Sequence, residues 1–170
     1  TPTIAAICIG HRAFHLLLGT TPNYDPPAAP HADDPAIGTL GGDDFDHLLA
    51  EMAAGEVLLA GLSGAELFRL LEECRRQKEA LHPNTRKIVV DLDHAREGWG
   101  QVTIPLAAYY ERCRPLIEET IRTVSALVGD QEIEALYLTG GGSELPLVGR
   151  LLREEFGLRR CHWRDYAPEE

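Results

Sequence analysis

The sequence predicts a mixed α/β fold with α+β elements, in which a middle segment is inserted into a core made by the two ends of the chain. The predicted elements follow the order hairpin, loop, two helices, hairpin, long helix, strand, helix, strand. A strand, a glycine turn and a helix start succeed one another over residues 136–146. With 170 residues, 44% of them hydrophobic, the chain can form one sizeable core, or a core with a smaller lobe.

The first 40 residues predict a hairpin followed by an irregular loop. TIAAICI over 3–9 and AFHLLLG over 13–19 are apolar runs separated by a glycine-containing turn. We interpret His15, in the second run, as a structural histidine rather than a ligand. Residues 22–35 contain five prolines, so we expect a surface loop there that is the most mobile internal segment of the chain.

The middle of the chain predicts two helices and a second hairpin. Asp43 or Asp44 can cap a first helix that runs to about Leu59 and that Gly55 weakens or ends. Ser63 caps a second helix, which continues to about residue 81. Two strand segments follow, at 87–92 and 100–104.

The last third predicts a long helix, a strand, a short helix and a final strand. Pro105 starts the long helix, Pro115 predicts a kink or break inside it, and Gly129 ends it. In the strand–turn–helix segment that follows, Ser143 is the expected N-cap and Pro146 fits the first helical turn. A last short strand is expected near 160–163.

The three glycines at 140–142 are the strongest candidate for a binding element. Because glycine has no side chain, the backbone amides of this turn can approach a ligand closely. Amides next to a helix N-terminus favour a phosphate or a nucleotide. A glycine-rich turn without any ligand fits the same residues, because short glycine motifs match many unrelated proteins.

Charge and cysteine content exclude several classes of protein. The net charge of −11 argues against a nucleic-acid partner or an anionic membrane surface. No apolar run approaches the length that spans a membrane. The four cysteines are widely spaced, without a C-x-x-C motif, which favours reduced thiols in a cytosolic protein. Cys161 and His162 are adjacent on a predicted strand and should point to opposite faces, so we expect no shared metal.

Three separated motifs carry the most specific signal in the sequence: Gly41-Gly-Asp-Asp-Phe-Asp46, Arg75-Arg-Gln-Lys-Glu-Ala-Leu81 and Tyr137-Leu-Thr-Gly-Gly-Gly-Ser-Glu-Leu-Pro146. In type, order and interval they resemble the nucleotide-binding domain of DnaK-type seventy-kilodalton heat-shock chaperones, which belong to the actin-like ATPase superfamily. The resemblance covers nearly the whole chain.

This resemblance implies the second lobe of the ATPase domain, an actin-like, ribonuclease H-like lobe with an inserted helix-plus-hairpin subdomain. Residues 1–40 and 105–170 would form the inner subdomain, with the adenosine and phosphate face, and residues 41–104 the outer subdomain. It also implies that the first lobe, with its phosphate loop and catalytic lysine, and the peptide-binding domain are outside this chain. We therefore expect the isolated fragment to fold without turning over ATP.

The resemblance assigns nucleotide contacts residue by residue. They fall on the glycine turn and on two further segments: Gly140, Gly141, Gly142 and Ser143, then Lys78, then Gly41, Gly42 and Asp43. Three positions of the same site depart from the family. Arg75 stands where a glutamate is usual, His82 where a serine is usual, and Glu144 where an arginine packs on adenine. We expect these departures to weaken nucleotide binding, and we expect Arg75 and Glu144 to pair with each other.

For the full-length protein the resemblance implies ATP or ADP with magnesium, the missing first lobe in the same chain, client proteins and co-chaperones. No catalytic or metal-binding residue is assigned within residues 1–170. Three functions fit: an ATPase fragment of a divergent stress-response chaperone, a pseudo-ATPase of the same fold that acts as an interaction module, or another actin-like protein related to cell-division proteins or sugar kinases. The Gly-Gly-Asp-Asp-Phe-Asp motif argues against the third.

Overall fold

The computed structural model describes residues 3–10, 12–20, 38, 40–156 and 161–163. The predicted mobile loop at 22–35 lies outside these residues. The chain divides into two compact units, one formed by Thr1–Gly42 with Leu116–Glu170 and the other by Asp43–Pro115. The boundary between Pro115 and Leu116 falls inside a helix. The assignment of the predicted ranges to inner and outer subdomains stays a prediction.

The helices and strands of the described residues alternate in a mixed α/β order. In chain order they are β1 (Thr3–Ile9), β2 (Phe14–Thr20), α1 (Gly42–Ala54), α2 (Glu56–Ala60), α3 (Gly64–Glu79), β3 (Lys87–Asp91), β4 (Gln101–Pro105), α4 (Leu106–Val128), β5 (Ile133–Thr139), α5 (Pro146–Phe156) and β6 (Cys161–Trp163). Short 3-10 helices lie at Leu92–His94 and Gly141–Glu144.

The first unit contains a four-stranded sheet of order β2-β1-β5-β6. Strands β1 and β2 pair antiparallel, which confirms the predicted hairpin. Strand β5 runs parallel to both β1 and β6. Because parallel strands end at the same edge of a sheet, the ends of β1 and β5 lie side by side there, and the glycine turn follows β5 at that edge.

Apolar side chains at regular spacing hold the first unit together. Alternate positions of the central strands are buried, as are helical stripes of α4 and α5: Ile7, Ile9, Leu136, Leu138, Ile117, Ile121, Val124, Leu147, Val148, Leu151 and Leu152. Each fully buried aliphatic side chain of this kind contributes about 1.5–3 kcal/mol of transfer free energy.

The second unit combines α1–α3 with the β3–β4 hairpin and the first part of α4. Helix α1 ends at Ala54, and Gly55 breaks it at a φ of 77°, as predicted. Ser63 caps α3 in a capping box with Glu66, also as predicted. Helix α3 buries Leu70 and Cys74 and packs on β3.

Two proline predictions need correction. Pro105 is the last residue of β4, where it pairs with Lys87, and α4 begins at Leu106 instead. Helix α4 continues through Pro115 to Val128, so the predicted break is wrong. Buried side chains on both sides of this proline, among them Cys113 and Ile117, keep the helix packed despite the missing backbone donor.

Candidate functional site

The glycine turn follows β5 directly and is fixed by the end of β1. Gly140 has a φ of 85°, which residues with a side chain rarely adopt. A Cβ atom at this position would collide with the carbonyl oxygen of Ile9 and lie 3.1 Å from the Sγ of Cys8. Gly140 is therefore required by backbone conformation and by the close approach of β1, without reference to a ligand.

The other two glycines, Gly141 and Gly142, differ in the space that is available for a side chain. A Cβ atom on Gly142 would lie 2.5 Å from Cγ2 of Ile9 and 3.0 Å from its carbonyl oxygen. A Cβ atom on Gly141 would meet no described atom within 4 Å. Gly142 is thus a packing glycine, whereas Gly141 is exposed and faces open space, where a ligand could approach the backbone.

Ser143 closes the turn instead of capping the next helix. Its amide and its hydroxyl both donate to the carbonyl oxygen of Gly140, at 3.0 and 2.7 Å, and the residue is buried. The predicted N-cap role is wrong, because Ser143 lies within the 3-10 helix Gly141–Glu144, and Leu145 is the residue that precedes the first residue of α5, Pro146. Glu144 is exposed on the same turn.

The Gly41-Gly42 segment also reaches the end of β1. The amide of Gly42 donates to the carbonyl oxygen of Gly10 at 2.8 Å. That oxygen lies 3.1 Å from the position a Cβ atom would take on Gly142. The structure therefore brings two glycine segments that are far apart in the sequence, Gly41-Gly42 and the glycine turn, to the carboxyl end of β1.

In the second unit, Lys78 makes a buried ion pair with Asp46. The ammonium Nζ of Lys78, on α3, lies 2.7 Å from Oδ1 of Asp46, on α1, and each side chain is only 7% exposed. Burial raises the pKa of Asp46 and outweighs the opposing effect of Lys78, and the charge of Asp43 raises the pKa further. The carboxylate is destabilised by burial and depends on its cationic partner.

Asp46 is not among the site residues predicted from the sequence, although the sequence contains a signal for it. Phe45, Asp46, Leu49 and Ala50 lie on one buried stripe of α1. Lys78 similarly follows Leu70 and Cys74 on the buried stripe of α3. One acid and one base on apolar stripes predict a buried pair, since an isolated buried charge is strongly unfavourable.

Arg75 and His82 make contacts within their own segment. The guanidinium of Arg75 donates to Glu79 at 3.0 Å and lies 3.9 Å from Glu72. The hydrogen bond with Glu79 raises the pKa of Arg75. His82 is exposed and stabilises the turn after α3, where its Nδ1 accepts from the amide of Asn84 at 3.3 Å. The pairing of Arg75 with Glu144 stays a prediction.

A second polar cluster, which was not predicted from the sequence, surrounds Glu73 on α3. This buried carboxylate accepts hydrogen bonds from Arg76, from Gln77 at 3.1 Å and from the amide of Asp91 at 3.2 Å, and His94 Nδ1 lies 3.1 Å away. Burial alone would raise the pKa of Glu73, but these hydrogen bonds together lower it. The cluster joins α3 to β3 and to the turn after it.

A groove of about 310 Å³ lies beside this cluster and is lined by Phe68, Arg69, Glu72, Glu73, Arg76 and His94. Phe68 is 64% exposed at the groove. Arg69 donates to the backbone carbonyl oxygens of His94 and Ala95, at 3.0 and 3.3 Å. The groove carries acidic and basic side chains in similar number, so its charge does not select one sign of ligand.

The described residues contain no group of three histidine, cysteine, aspartate or glutamate side chains that could hold a metal ion. Cys74 and Cys113 are buried free thiols, and burial raises the pKa of each to about 12. Within the described ranges, no helix is both long and apolar enough to cross a lipid bilayer.

Comparison with known proteins gives one consistent family. A family model described as "Hsp70 protein" matches residues 36–165. The chaperone protein HscA homolog of Shewanella woodyi (strain ATCC 51908 / MS32) is 34% identical over 124 residues, which cover 69% of this chain and 20% of that protein. The chaperone protein HscA of Klebsiella pneumoniae (strain 342) is 32% identical over 124 residues, or 69% and 19% of the two chains. The HscA homolog of Vibrio vulnificus (strain YJ016) is 30% identical over 136 residues, or 77% and 21%. The chain spans about a fifth of the length of these curated relatives.

Proposed function

Because the chain belongs to the Hsp70 family, we propose that it is part of the ATP-binding domain of a chaperone and contributes to an adenine-nucleotide site. In the full-length protein, hydrolysis of the bound ATP would drive chaperone action on client proteins, with the help of co-chaperones. We also propose that residues 1–170 belong to the second lobe of that domain, with the core at the two ends and the outer subdomain in the middle.

The observation that carries the nucleotide proposal is that packing requires only two of the three glycines. Packing against β1 accounts for Gly140 and Gly142, but no described atom accounts for the absence of a side chain at Gly141. A glycine at a position with room for a side chain allows a ligand to come close to the backbone. A phosphate fits such a turn, since the first amides of a helical turn have no partner within it.

The residues of this chain would bind and orient the nucleotide rather than perform its hydrolysis. The glycine turn would hold phosphate oxygens, Gly41, Gly42 and Asp43 would limit the space around them, and Lys78 would face the nucleoside part. ATP supplies the phosphoryl group that is transferred to water, and magnesium would neutralise its phosphates. No described residue is assigned to the metal or to the hydrolytic step.

A second candidate, a pseudo-ATPase that acts as an interaction module, is favoured by the contacts of the other site residues. Arg75 is held in an ion pair with Glu79 on its own helix. The acid at Glu144 cannot provide a cationic contact with the adenine ring, which is worth about 0.5–2 kcal/mol. Hydrolysis of ATP by the full-length protein, measured as phosphate release, separates the two candidates, because only the first requires it.

The nucleotide proposal is tested by Gly141→Val in the full-length protein, with ADP affinity measured by titration calorimetry. A Cβ atom at this position meets no described atom within 4 Å, so we expect normal folding and a loss of affinity of about tenfold or more, equivalent to ~1.4 kcal/mol. Gly64→Val is the matched control, because a Cβ atom there also meets nothing within 4 Å. Equal ADP affinity in all three proteins would contradict the assignment of the glycine turn.

A further inference from the structure

We propose that Asp46 is a positioning residue for nucleotide binding, because its buried carboxylate fixes the ammonium group of Lys78. This inference rests on the proposed function, in which Lys78 contacts the nucleotide. Asp46 itself is given no contact with the ligand. Its role is to determine where the charge of Lys78 lies before the nucleotide arrives.

The geometry of the pair supports this role. Asp46 lies in the second turn of α1 and Lys78 in the last turn of α3, so the ion pair links two helices at a separation of 2.7 Å between Nζ and Oδ1. Both side chains are 7% exposed. A lysine side chain has a flexible four-carbon stem, and fixing its end before binding reduces the entropy lost when the ligand binds.

The side chains that interact electrostatically with Asp46 and Lys78 are mainly neutral. Cys74 lies one helical turn before Lys78 and interacts electrostatically with both Asp46 and Lys78. On α4, Tyr109 interacts with Asp46 and Cys113 interacts with Lys78, and burial raises the pKa of both groups. Asp43 and Arg75 are the further charges that act on Asp46, with opposite effects. A buried ammonium in such surroundings is stable only with a counter-charge.

It follows that removal of Asp46 should weaken the constraint on Lys78. Without the carboxylate, the ammonium group can leave the position in which the ion pair with Asp46 holds it. A purely structural ion pair would instead change the stability of the domain without changing its affinity for nucleotide. These two behaviours can be separated experimentally.

The main experiment compares Asp46→Asn, Lys78→Met and the double variant in the full-length protein, with magnesium-ADP affinity measured by calorimetry and folding by near-ultraviolet circular dichroism. We expect each single variant to weaken ADP binding by about tenfold and the double variant to be no weaker than either. Glu51→Gln is the control, because it removes a carboxylate from an exposed ion pair on the same helix, with Arg112, and it should leave the affinity unchanged.

A second measurement does not depend on nucleotide. Acetylation of Lys78 by acetic anhydride, followed by mass spectrometry, should become faster in Asp46→Asn, with the exposed Lys87 as internal reference. If Asp46→Asn fails to fold, the exchange Asp46→Lys with Lys78→Asp restores an ion pair but moves the ammonium to α1. We expect that variant to fold and to remain weak in ADP binding, whereas wild-type affinity in it would overturn the proposal.

The outcomes distinguish this inference from the proposed function. Wild-type ADP affinity in Asp46→Asn, with normal binding by the unmodified protein, would overturn the positioning role alone. A wild-type protein that binds no ADP would overturn the proposed function and this role with it. Strictly additive losses in the double variant would also contradict positioning, since two residues that act as one unit are not additive.

Discussion

The phenolic hydroxyl of Tyr109 donates a 2.9 Å hydrogen bond to the backbone carbonyl oxygen of Phe45. Both residues are fully buried, and they lie 64 positions apart in the chain. The bond therefore joins the start of α1 to α4 within the second unit and adds a second donor to a carbonyl group of the helix.

The first prediction is that Tyr109→Phe lowers the free energy of unfolding of the second unit by about 0.5–1.5 kcal/mol, because the buried hydrogen bond from the tyrosine hydroxyl to the carbonyl oxygen of Phe45 is lost. Urea denaturation followed by circular dichroism measures this. Thr123→Val is the control: it removes a hydroxyl that donates to Glu119 on its own helix, and should change the free energy by less than about 0.5 kcal/mol. An equal effect of both changes would refute the special role of the Tyr109 bond.

The second prediction concerns the packing glycines of the turn. Gly140→Ala should destabilise the first unit by about 2 kcal/mol or more, because a side chain would adopt a positive φ and collide with β1. Gly142→Ala should cost about 1–3 kcal/mol through contact with Ile9. Gly141→Ala has space and should be nearly neutral. Thermal denaturation ranks the three variants, and a similar loss at Gly141 would show that the turn is more confined than the structure indicates.

The third prediction is that Glu73→Gln destabilises the second unit by about 1–3 kcal/mol. The new amide would present donors to Arg76 and to the amide of Asp91, both of which already donate to this position. Glu72→Gln, on the adjacent exposed residue, should change stability by less than about 0.5 kcal/mol. Denaturant midpoints that move equally in the two variants would contradict the importance of the Glu73 cluster.

The fourth prediction is a pH dependence that arises from Glu66. Hydrogen bonds from Arg96 and from the amide of Ser63 lower the pKa of Glu66 from 4.5 to about 2. Since the folded state has the lower pKa, the stabilisation is complete above pH 4.5 and is lost as the pH falls toward 2. Glu66→Gln should reduce the loss of stability over this interval, as measured by urea midpoints. An unchanged pH profile would show that other carboxylates account for the acid sensitivity.

Local chemistry allowed most of the secondary structure to be predicted from the sequence. The hairpin at the N-terminus, the Ser63 cap, the helix end at Gly55 and the start of α5 at Pro146 all follow from short-range conformational preferences. The predicted kink at Pro115 stays a prediction, but the predicted alternative, a break, is wrong, because tertiary packing on both sides of the proline maintains the helix and no local rule includes that contribution.

The sequence by itself determined the family signal and the candidate segments, because motif type, order and spacing are properties of the chain alone. Only the tertiary structure decided what each residue of those segments does. The close approach of β1 leaves no room for a side chain at Gly140 or Gly142 but leaves space at Gly141, and Lys78 pairs with Asp46 from another helix. These distinctions depend on contacts between residues far apart in the chain, and the free energy of such contacts depends on burial and distance, which no single segment specifies.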